Sequence, residues 1–326
     1  MESDTYAAKI LHFLYDPPIF LRLEHLAPEL HTLKYRFQWK EASVFVQFWK
    51  MNGTGNDFIV IDNQKACILP EQYAAIARTL CRRRLSIGAD GLMVVERAHA
   101  DGDFRMVFYN SDGSLGEMCG NGARCICRYG YETGLAGECQ RVETTAGLVT
   151  GMRKDRSRYR IRLNNPALVD LCRPVTVDGV SYECAYVELG CPGVPHAVVP
   201  LSGLRDYPEE KLRLLGRSLR CHPAFPKGAN VNFYELTGPD QFYERTYERG
   251  VEDFTYACGT GTASVAAVLT LQGKASGRNV CAAMTGGQLS IDADLDRGNG
   301  RILNLFLTGP TNVVAKGEVT DETLRL

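Results

Sequence analysis

Cys258-Gly259-Thr260-Gly261, running on into Thr262-Ala263-Ser264-Val265-Ala266-Ala267-Val268-Leu269-Thr270-Leu271, is the stretch whose reading decides the fold. Ala263–Leu271 is strongly apolar and predicts a buried helix. The Cys-Gly-x-Gly turn before it has an echo: Cys119-Gly120-Asn121-Gly122 precedes a second predicted helix, Ala123–Tyr131. The separation is 258 − 119 = 139 residues, about the length of one domain. Each turn follows a strand-rich stretch and opens a helix. A unit repeated at this long period predicts two similar domains facing each other.

Outward from these turns the chain alternates strands and helices. Val46–Lys50 and Phe58–Asp62 read as a strand pair around Met51-Asn52-Gly53-Thr54-Gly55-Asn56. Leu92–Glu96, Phe104–Tyr109, Val149–Arg153 and Tyr159–Leu163 read as strands of the first half. Tyr186–Leu189, Ala197–Val199, Val231–Leu236, Phe242–Tyr247, Gly287–Asp292, Ile302–Leu307 and Asn312–Lys316 read as strands of the second. Pro166 and Leu168 fall near the expected boundary. Residues 1–45 differ in texture, with Pro17-Pro18, three histidines and no Gly, and are expected to be an N-terminal extension.

Composition narrows the function classes. The chain of 326 residues is 45% hydrophobic and 23% charged, enough for a packed core. Its 37 basic and 38 acidic side chains leave a net charge of −1, which draws it neither to nucleic acid nor to an anionic membrane. No apolar run approaches the ~18 residues of a membrane span, and Met1–Asp4 does not open a secretory signal. The twelve cysteines are scattered, as in a cytoplasmic chain with reduced thiols. Most are expected to be small core residues, with Cys67, Cys81 and Cys281 inside apolar runs.

The Cys-Gly-x-Gly turns carry the chemistry. The first N–H groups of a helix lack intrahelical acceptors and lie at the positive end of its dipole. Glycines there admit an anion such as a carboxylate close to the backbone. A cysteine at that place has its thiolate favoured. Two such turns from opposing domains flank one carboxylate-bearing ligand with thiols, the arrangement that removes a proton from one face of a carbon and returns one to the other. No Lys stands in a recognisable pyridoxal-phosphate setting, so a cofactor-free route is expected. A phosphate loop fits worse, because Gly259-Thr260-Gly261-Thr262 has no Lys in place. Cys119, Cys125 and Cys127 lack paired C-x-x-C spacing, so no metal site is expected.

Longer motifs carry a resemblance. They are Met51-Asn52-Gly53-Thr54-Gly55-Asn56-Asp57-Phe58, Gly88-Ala89-Asp90-Gly91, Tyr109-Asn110-Ser111-Asp112-Gly113-Ser114, Glu117-Met118-Cys119-Gly120-Asn121-Gly122-Ala123-Arg124, Pro195-His196, Asn230-Val231-Asn232-Phe233, Tyr247-Glu248-Arg249-Gly250 and Ala257-Cys258-Gly259-Thr260-Gly261. In this order they resemble the diaminopimelate epimerase family from about Val46 to the C-terminus.

The resemblance implies an α+β fold of two pseudo-symmetric α/β domains. Each is a curled, mostly antiparallel sheet around a central helix, with the active site in the cleft between them. It implies a first domain of residues 46–163 plus 315–326, a second of 164–314, a homodimer, and neither pyridoxal phosphate nor metal. Cys119 and Cys258 match the two bases, one resting as thiolate and the other as thiol. Asn56, Asn110, Asn230 and Arg249 match substrate ligands, with Arg249 on a distal carboxylate. Glu248 matches a residue near the cysteines and the substrate amine, and His196 a histidine beside the site that tunes thiol protonation. Gly120-Asn121 and Gly259-Thr260 match the turns that take the α-carboxylate.

Three positions depart from the pattern. Val194 stands where many members carry Asn, Asn52 where many carry His, and Gly91 where many carry Gln. A racemase for another amino acid, such as histidine or diaminopropionate, therefore stays beside the diaminopimelate reading. So do a non-catalytic amino-acid-binding protein of the same fold and a cysteine hydrolase with His196 as base.

Overall fold

The computed structural model describes residues 46–116 and 120–320, with Glu322 and Leu324. The expected 1–45 extension and Cys119 lie outside the described residues. The first half holds β1 (Gln47–Gly53), β2 (Asn56–Asp62), α1 (Tyr73–Leu80), β3 (Gly91–Glu96), β4 (Phe104–Asn110), α2 (Gly120–Glu132), β5 (Cys139–Thr144), β6 (Gly147–Arg153) and β7 (Arg158–Leu163). The second holds β8 (Pro166–Val177), β9 (Val180–Leu189), β10 (Val194–Pro200), α3 (Glu209–Arg220), β11 (Asn230–Gly238), β12 (Gln241–Glu248), β13 (Asp253–Thr255), α4 (Gly259–Leu271), β14 (Val280–Met284), β15 (Gly287–Asp296) and β16 (Arg301–Pro310). β17 (Asn312–Glu318) returns to pair with β1.

The strands join in one continuous sheet, in the order β17-β1-β2-β3-β4-β5-β6-β7-β16-β15-β14-β12-β11-β10-β9-β8, with β13 beside β12. Both halves obey one scheme. All neighbours are antiparallel except β2·β3 and β4·β5 in the first half and β10·β11 and β12·β14 in the second. A parallel pair needs a crossover, and these four crossovers carry α1, α2, α3 and α4 in turn. The halves meet where β7 and β16, equivalent strands in the scheme, pair antiparallel with Leu163 opposite Leu305.

Alternation along each strand sends successive residues to opposite faces. Phe58, Val60, Met93 and Val95 face the core around α2, while Ile59, Ile61, Leu92 and Val94 pack with Ile76 and Leu80 of α1. In the second half Val198, Tyr234 and Phe242 face α4, and Val199, Val231 and Phe233 pack with Leu212, Leu215 and Leu219 of α3. Each half is thus a curled sheet with one helix enclosed and one outside.

Two local features sharpen the sequence reading. The β1–β2 hairpin closes on Thr54-Gly55 alone, both with positive φ (55° and 95°), the backbone that suits two-residue hairpins. The enclosed helices also start earlier than expected, since Gly120 and Gly259 are already helical. The cysteine expectation is corrected. Cys81, Cys125, Cys127, Cys184 and Cys258 are buried, but Cys67, Cys139, Cys172, Cys191 and Cys221 are exposed and Cys281 is half-buried. Cys67 and Cys221 cap helix ends and Cys172 sits in the β8 bulge, so apolar neighbours in sequence do not bury them.

Close packing of α4 on its sheet depends on Gly261. A Cβ there would stand 2.1 Å from Asn232 Oδ1 and 3.1 Å from Asn232 Cγ. Gly261→Ala is expected to destabilise the protein by about 1–3 kcal/mol through overpacking, read from the urea midpoint. An unchanged midpoint would contradict this packing.

Candidate active site

Cys258 is the N-cap of α4, with extended backbone (φ −117°, ψ 104°). Its Sγ lies 3.5 Å from Thr260 Oγ1 and against the N–H of Gly261. The Glu248 carboxylate lies beside the Cys258 thiol and accepts from Thr255 Oγ1 at 2.6 Å. Burial first, then the neighbouring Glu248 and Glu244, push the Cys258 thiol well up, against the pull of Thr260 and the Gly261 N–H. Burial likewise raises Glu248, opposed by the bond from Thr255 and by the neighbouring Cys258 thiol. Cys258 therefore rests as the thiol. The thiolate-favouring effect expected of a helix N-terminus is present but outweighed by desolvation.

The N-terminus of α2 meets that of α4 head to head. A Cβ on Gly259 would stand 3.9 Å from Gly120 Cα and 3.2 Å from Leu307 Cδ1. Asn121, buried in the first turn of α2, donates through Nδ2 to the Ala257 carbonyl at 3.3 Å and to Asn56 Oδ1 at 2.5 Å. Its Oδ1 accepts from Arg124 at 2.9 Å. The Arg124 guanidinium, 0% exposed, also donates to Thr54 Oγ1 at 2.8 Å and to the Gly120 carbonyl at 3.3 Å. Asn56 in turn donates to Asp90 at 3.1 Å, and Arg83 binds Asp90 and Asp57 together. Arg124 sits within a motif read from the sequence, yet spacing alone gave it no role; its burial makes it the brace of this turn.

Asn56, Asn110, Gly120, Asn121, Glu248, Cys258, Gly259 and Thr260 line one cavity of about 460 Å³. Asn110 is exposed and bonds Ser114 Oγ at 2.9 Å, closing its own turn, while Asp112 accepts from Ser114 as a turn residue. His196, Asn230 and Arg249 do not line this cavity. They form an adjoining group: Asn230 Oδ1 accepts the Arg249 N–H at 2.8 Å, and His196 lies opposite Asn230 in the β10·β11 pair. The Arg249 guanidinium is exposed and donates to the Lys227 carbonyl at 2.8 Å. Val194, half-buried, begins β10. Asn52 Oδ1 accepts from Gly55 N at 3.4 Å, a turn contact, and Gly91 packs tightly on Phe108.

His196 is wholly buried. Its Nδ1 lies 3.2 Å from Asn232 Nδ2, whose two hydrogens are shared among that ring nitrogen and the carbonyls of Ala197 and Asn230. An amide nitrogen accepts nothing, so Nδ1 is the acceptor and the ring hydrogen is assigned to Nε2. That Nε2 is buried, with no acceptor among the described residues. Burial pushes the His196 pKa down to about 3 against a usual 6.5, so His196 is a neutral donor at physiological pH. Among the described residues no three His, Cys, Asp or Glu side chains gather as a metal site.

The lowered His196 pKa makes a linkage prediction. Below pH 6.5 the unfolded chain binds a proton that the fold refuses, so this stability is full above that pH and lost as pH falls toward 3. The bound is about 5 kcal/mol. His196→Gln is expected to flatten the acid limb of Tm against pH; parallel curves for the two proteins would refute the assignment.

A family model described as diaminopimelate epimerase matches residues 48–167 and 191–314. Diaminopimelate epimerase of Aquifex aeolicus is 37% identical over 289 residues, covering 86% of this chain and 99% of that one. The Flavobacterium psychrophilum diaminopimelate epimerase is 35% identical over 270 residues, with 82% and 98% covered. Among solved structures, a hydroxyproline epimerase from Agrobacterium vitis superposes with a TM-score of 0.60 at 17% identity, over 86% of this chain and 94% of its own. That likeness concerns the fold, a mixed α+β architecture of curled sheets. Matched through both halves and along nearly the whole length of its relatives, the chain belongs to the diaminopimelate epimerase family.

Proposed function

We propose that this protein epimerises LL-diaminopimelate to meso-diaminopimelate without a cofactor, an isomerase step in the supply of lysine and peptidoglycan precursors. Cys119 and Cys258 act on opposite faces of the α-carbon. The observation that carries this reading is the head-to-head meeting of α2 and α4, with the Cys258 thiol and Glu248 at one cavity. Two helix N-termini aimed at one carboxylate stabilise the charge that grows on it as the α-proton leaves.

Because Cys258 rests as the thiol, it is the proton donor of the resting enzyme, and Cys119 is the base. The Cα–H bond breaks toward the Cys119 thiolate, and the Cys258 S–H bond delivers its proton to the other face. A forward turn leaves Cys119 as the thiol and Cys258 as the thiolate, and in the reverse direction that form acts with the roles exchanged. Gly120-Asn121 and Gly259-Thr260 take the α-carboxylate. Asn56, Asn110, Asn230 and Arg249 hold the remainder of the substrate, the last two after movement toward the cavity. His196, neutral and buried beside Asn230 and Asn232, supports this side of the site from behind.

The domains of this reading are residues 46–163 with 315–326, and 164–314. Support comes from the repeated strand scheme and the return of β17 to β1. A cytoplasmic homodimer follows from the family resemblance, and among the described residues no helix is long and apolar enough to cross a membrane. The second reading is an epimerase for another amino acid, favoured by Val194, which offers no side-chain hydrogen bond where a polar contact is expected. Offering LL-diaminopimelate, histidine and diaminopropionate side by side separates the two.

Cys119→Ser and Cys258→Ser are each expected to lower kcat by about 10²-fold or more, since a hydroxyl is a far weaker acid and base than a thiol. Retention of full epimerisation by both variants would end the two-cysteine reading.

A further inference from the structure

The two halves differ where their enclosed helices begin. In the first half the sheet beneath α2 presents Phe58, Met93, Met106 and Phe108, and Ala123 packs on it. The strand scheme and registers make these equivalent to His196, Asn232, Glu244 and Thr246, and Ala123 equivalent to Thr262. The glycines agree: a Cβ on Gly122 would strike Met93, and one on Gly261 would strike Asn232. An apolar floor in one half is a buried polar floor in the other.

Glu244 is the costliest member of that floor. It is 1% exposed, and its Oε1 bonds the Thr262 hydroxyl. Among the described residues Oε2 has no partner and no cation pairs with the group. The groups facing it are Cys258 and Thr262 from α4, Tyr234 opposite it on β11, and Asn232 opposite Thr246, with His196 of β10 behind. Glu248 lies four residues further along β12 toward the cavity, and β14 contributes buried Ala282 and Met284. None is a cation. An ionised carboxylate there would be an unpaired buried charge, which folding does not tolerate without large cost.

Thr262 completes the case. Its hydroxyl oxygen stands within bonding distance of both Glu244 Oε1 and the Cys258 carbonyl, the latter at 3.0 Å, and its one hydrogen serves only one of two acceptors if Glu244 is ionised. A protonated Glu244 then supplies the second hydrogen, giving a chain from the Glu244 acid through the Thr262 oxygen to the Cys258 carbonyl. We propose that Glu244 is a positioning residue carried as a neutral acid, which through Thr262 locks the turn that presents the Cys258 thiol. Its neutrality leaves the positive end of α4 uncancelled, and its ionisation opposes formation of the Cys258 thiolate. Burial holds the Glu244 pKa at about 8, so the acid form prevails at neutral pH and is lost in mild alkali. The catalytic consequence rests on the cysteine pair proposed above; the protonation state does not.

The test compares the full-length protein with Glu244→Gln, whose amide donates to Thr262 at every pH. Folded Glu244 binds a proton that the unfolded chain releases near 4.5, so wild-type stability declines as pH rises from there toward 8. The Tm of the variant relative to wild type is expected to climb between pH 5 and pH 9. Alkylation of Cys258, followed by peptide mass spectrometry, is expected to run faster in the variant at pH 9 but not at pH 7. The ratio of variant to wild-type kcat is expected to rise about tenfold over the same step, as Glu244 ionises in wild type. The double change Glu244→Met with Thr262→Ala, which copies the Met106 and Ala123 pair, gives a second folded comparison and should show the same rise in relative Tm. A relative Tm flat with pH would overturn the neutral acid. A rising Tm with unaltered Cys258 alkylation would overturn the positioning role. The Tm and alkylation arms need no turnover, so an inactive wild-type protein would remove only the kcat arm and would count against the epimerase reading alone.

Discussion

The contact on which the rest depends is the meeting of two helix N-termini, with Gly259 of α4 close on Gly120 of α2 and the Asn121 amide reaching the Ala257 carbonyl at 3.3 Å. Two positive helix ends repel each other, and their unpaired N–H groups demand acceptors. The protein answers with glycines that permit the approach, with the Asn121 bridge, and with the β7·β16 pair that joins the halves beneath. Among the described residues the first turn of neither helix carries an acidic side chain. A carboxylate-bearing molecule is the natural complement of that gap, and a site so built gains most when negative charge grows on its ligand.

Approximate symmetry supplies the geometry, and departures from symmetry supply the chemistry. Two equal thiols in equal surroundings would ionise alike, and acid and base would not be distinguished. Burial and Glu248 keep Cys258 protonated. The polar floor beneath α4, with its neutral His196 and its buried Glu244, has an apolar counterpart beneath α2. Two environments that push like groups apart in pKa are how one fold holds an acid and a base at one pH.

Much of this was legible in the sequence. The Gly-rich turns, the enclosed helices and most strands announced themselves through periodicity, and the repeat of 139 residues matches the doubled strand scheme. β5, β8, β13 and β14 did not. β8 carries Pro166 and Pro174 and a bulge, and it exposes Leu168 and Leu171, so its alternation is broken. α3 carries a fair signal in Leu212, Leu215 and Leu219, diluted by the charges around them. Within the site, residues in Gly turns were legible because turn chemistry is local. Glu244, Asn232 and Arg124 were not, because a charged or polar residue in a strand or helix reads as solvent-facing until the sheet closes over it. The resting state of Cys258 was likewise hidden: the helix dipole is visible in sequence, and the desolvation that outweighs it is not.

The central claim is that two groups, one on each face, handle the α-proton. The direct measurement is epimerisation of LL-diaminopimelate in deuterated water, followed at low conversion by mass spectrometry of both product and recovered substrate. Two monoprotic thiols predict one deuterium at the inverted carbon of nearly all product, while recovered substrate remains protonated. Product that retains its original hydrogen would mean that one base serves both faces, and would contradict the account.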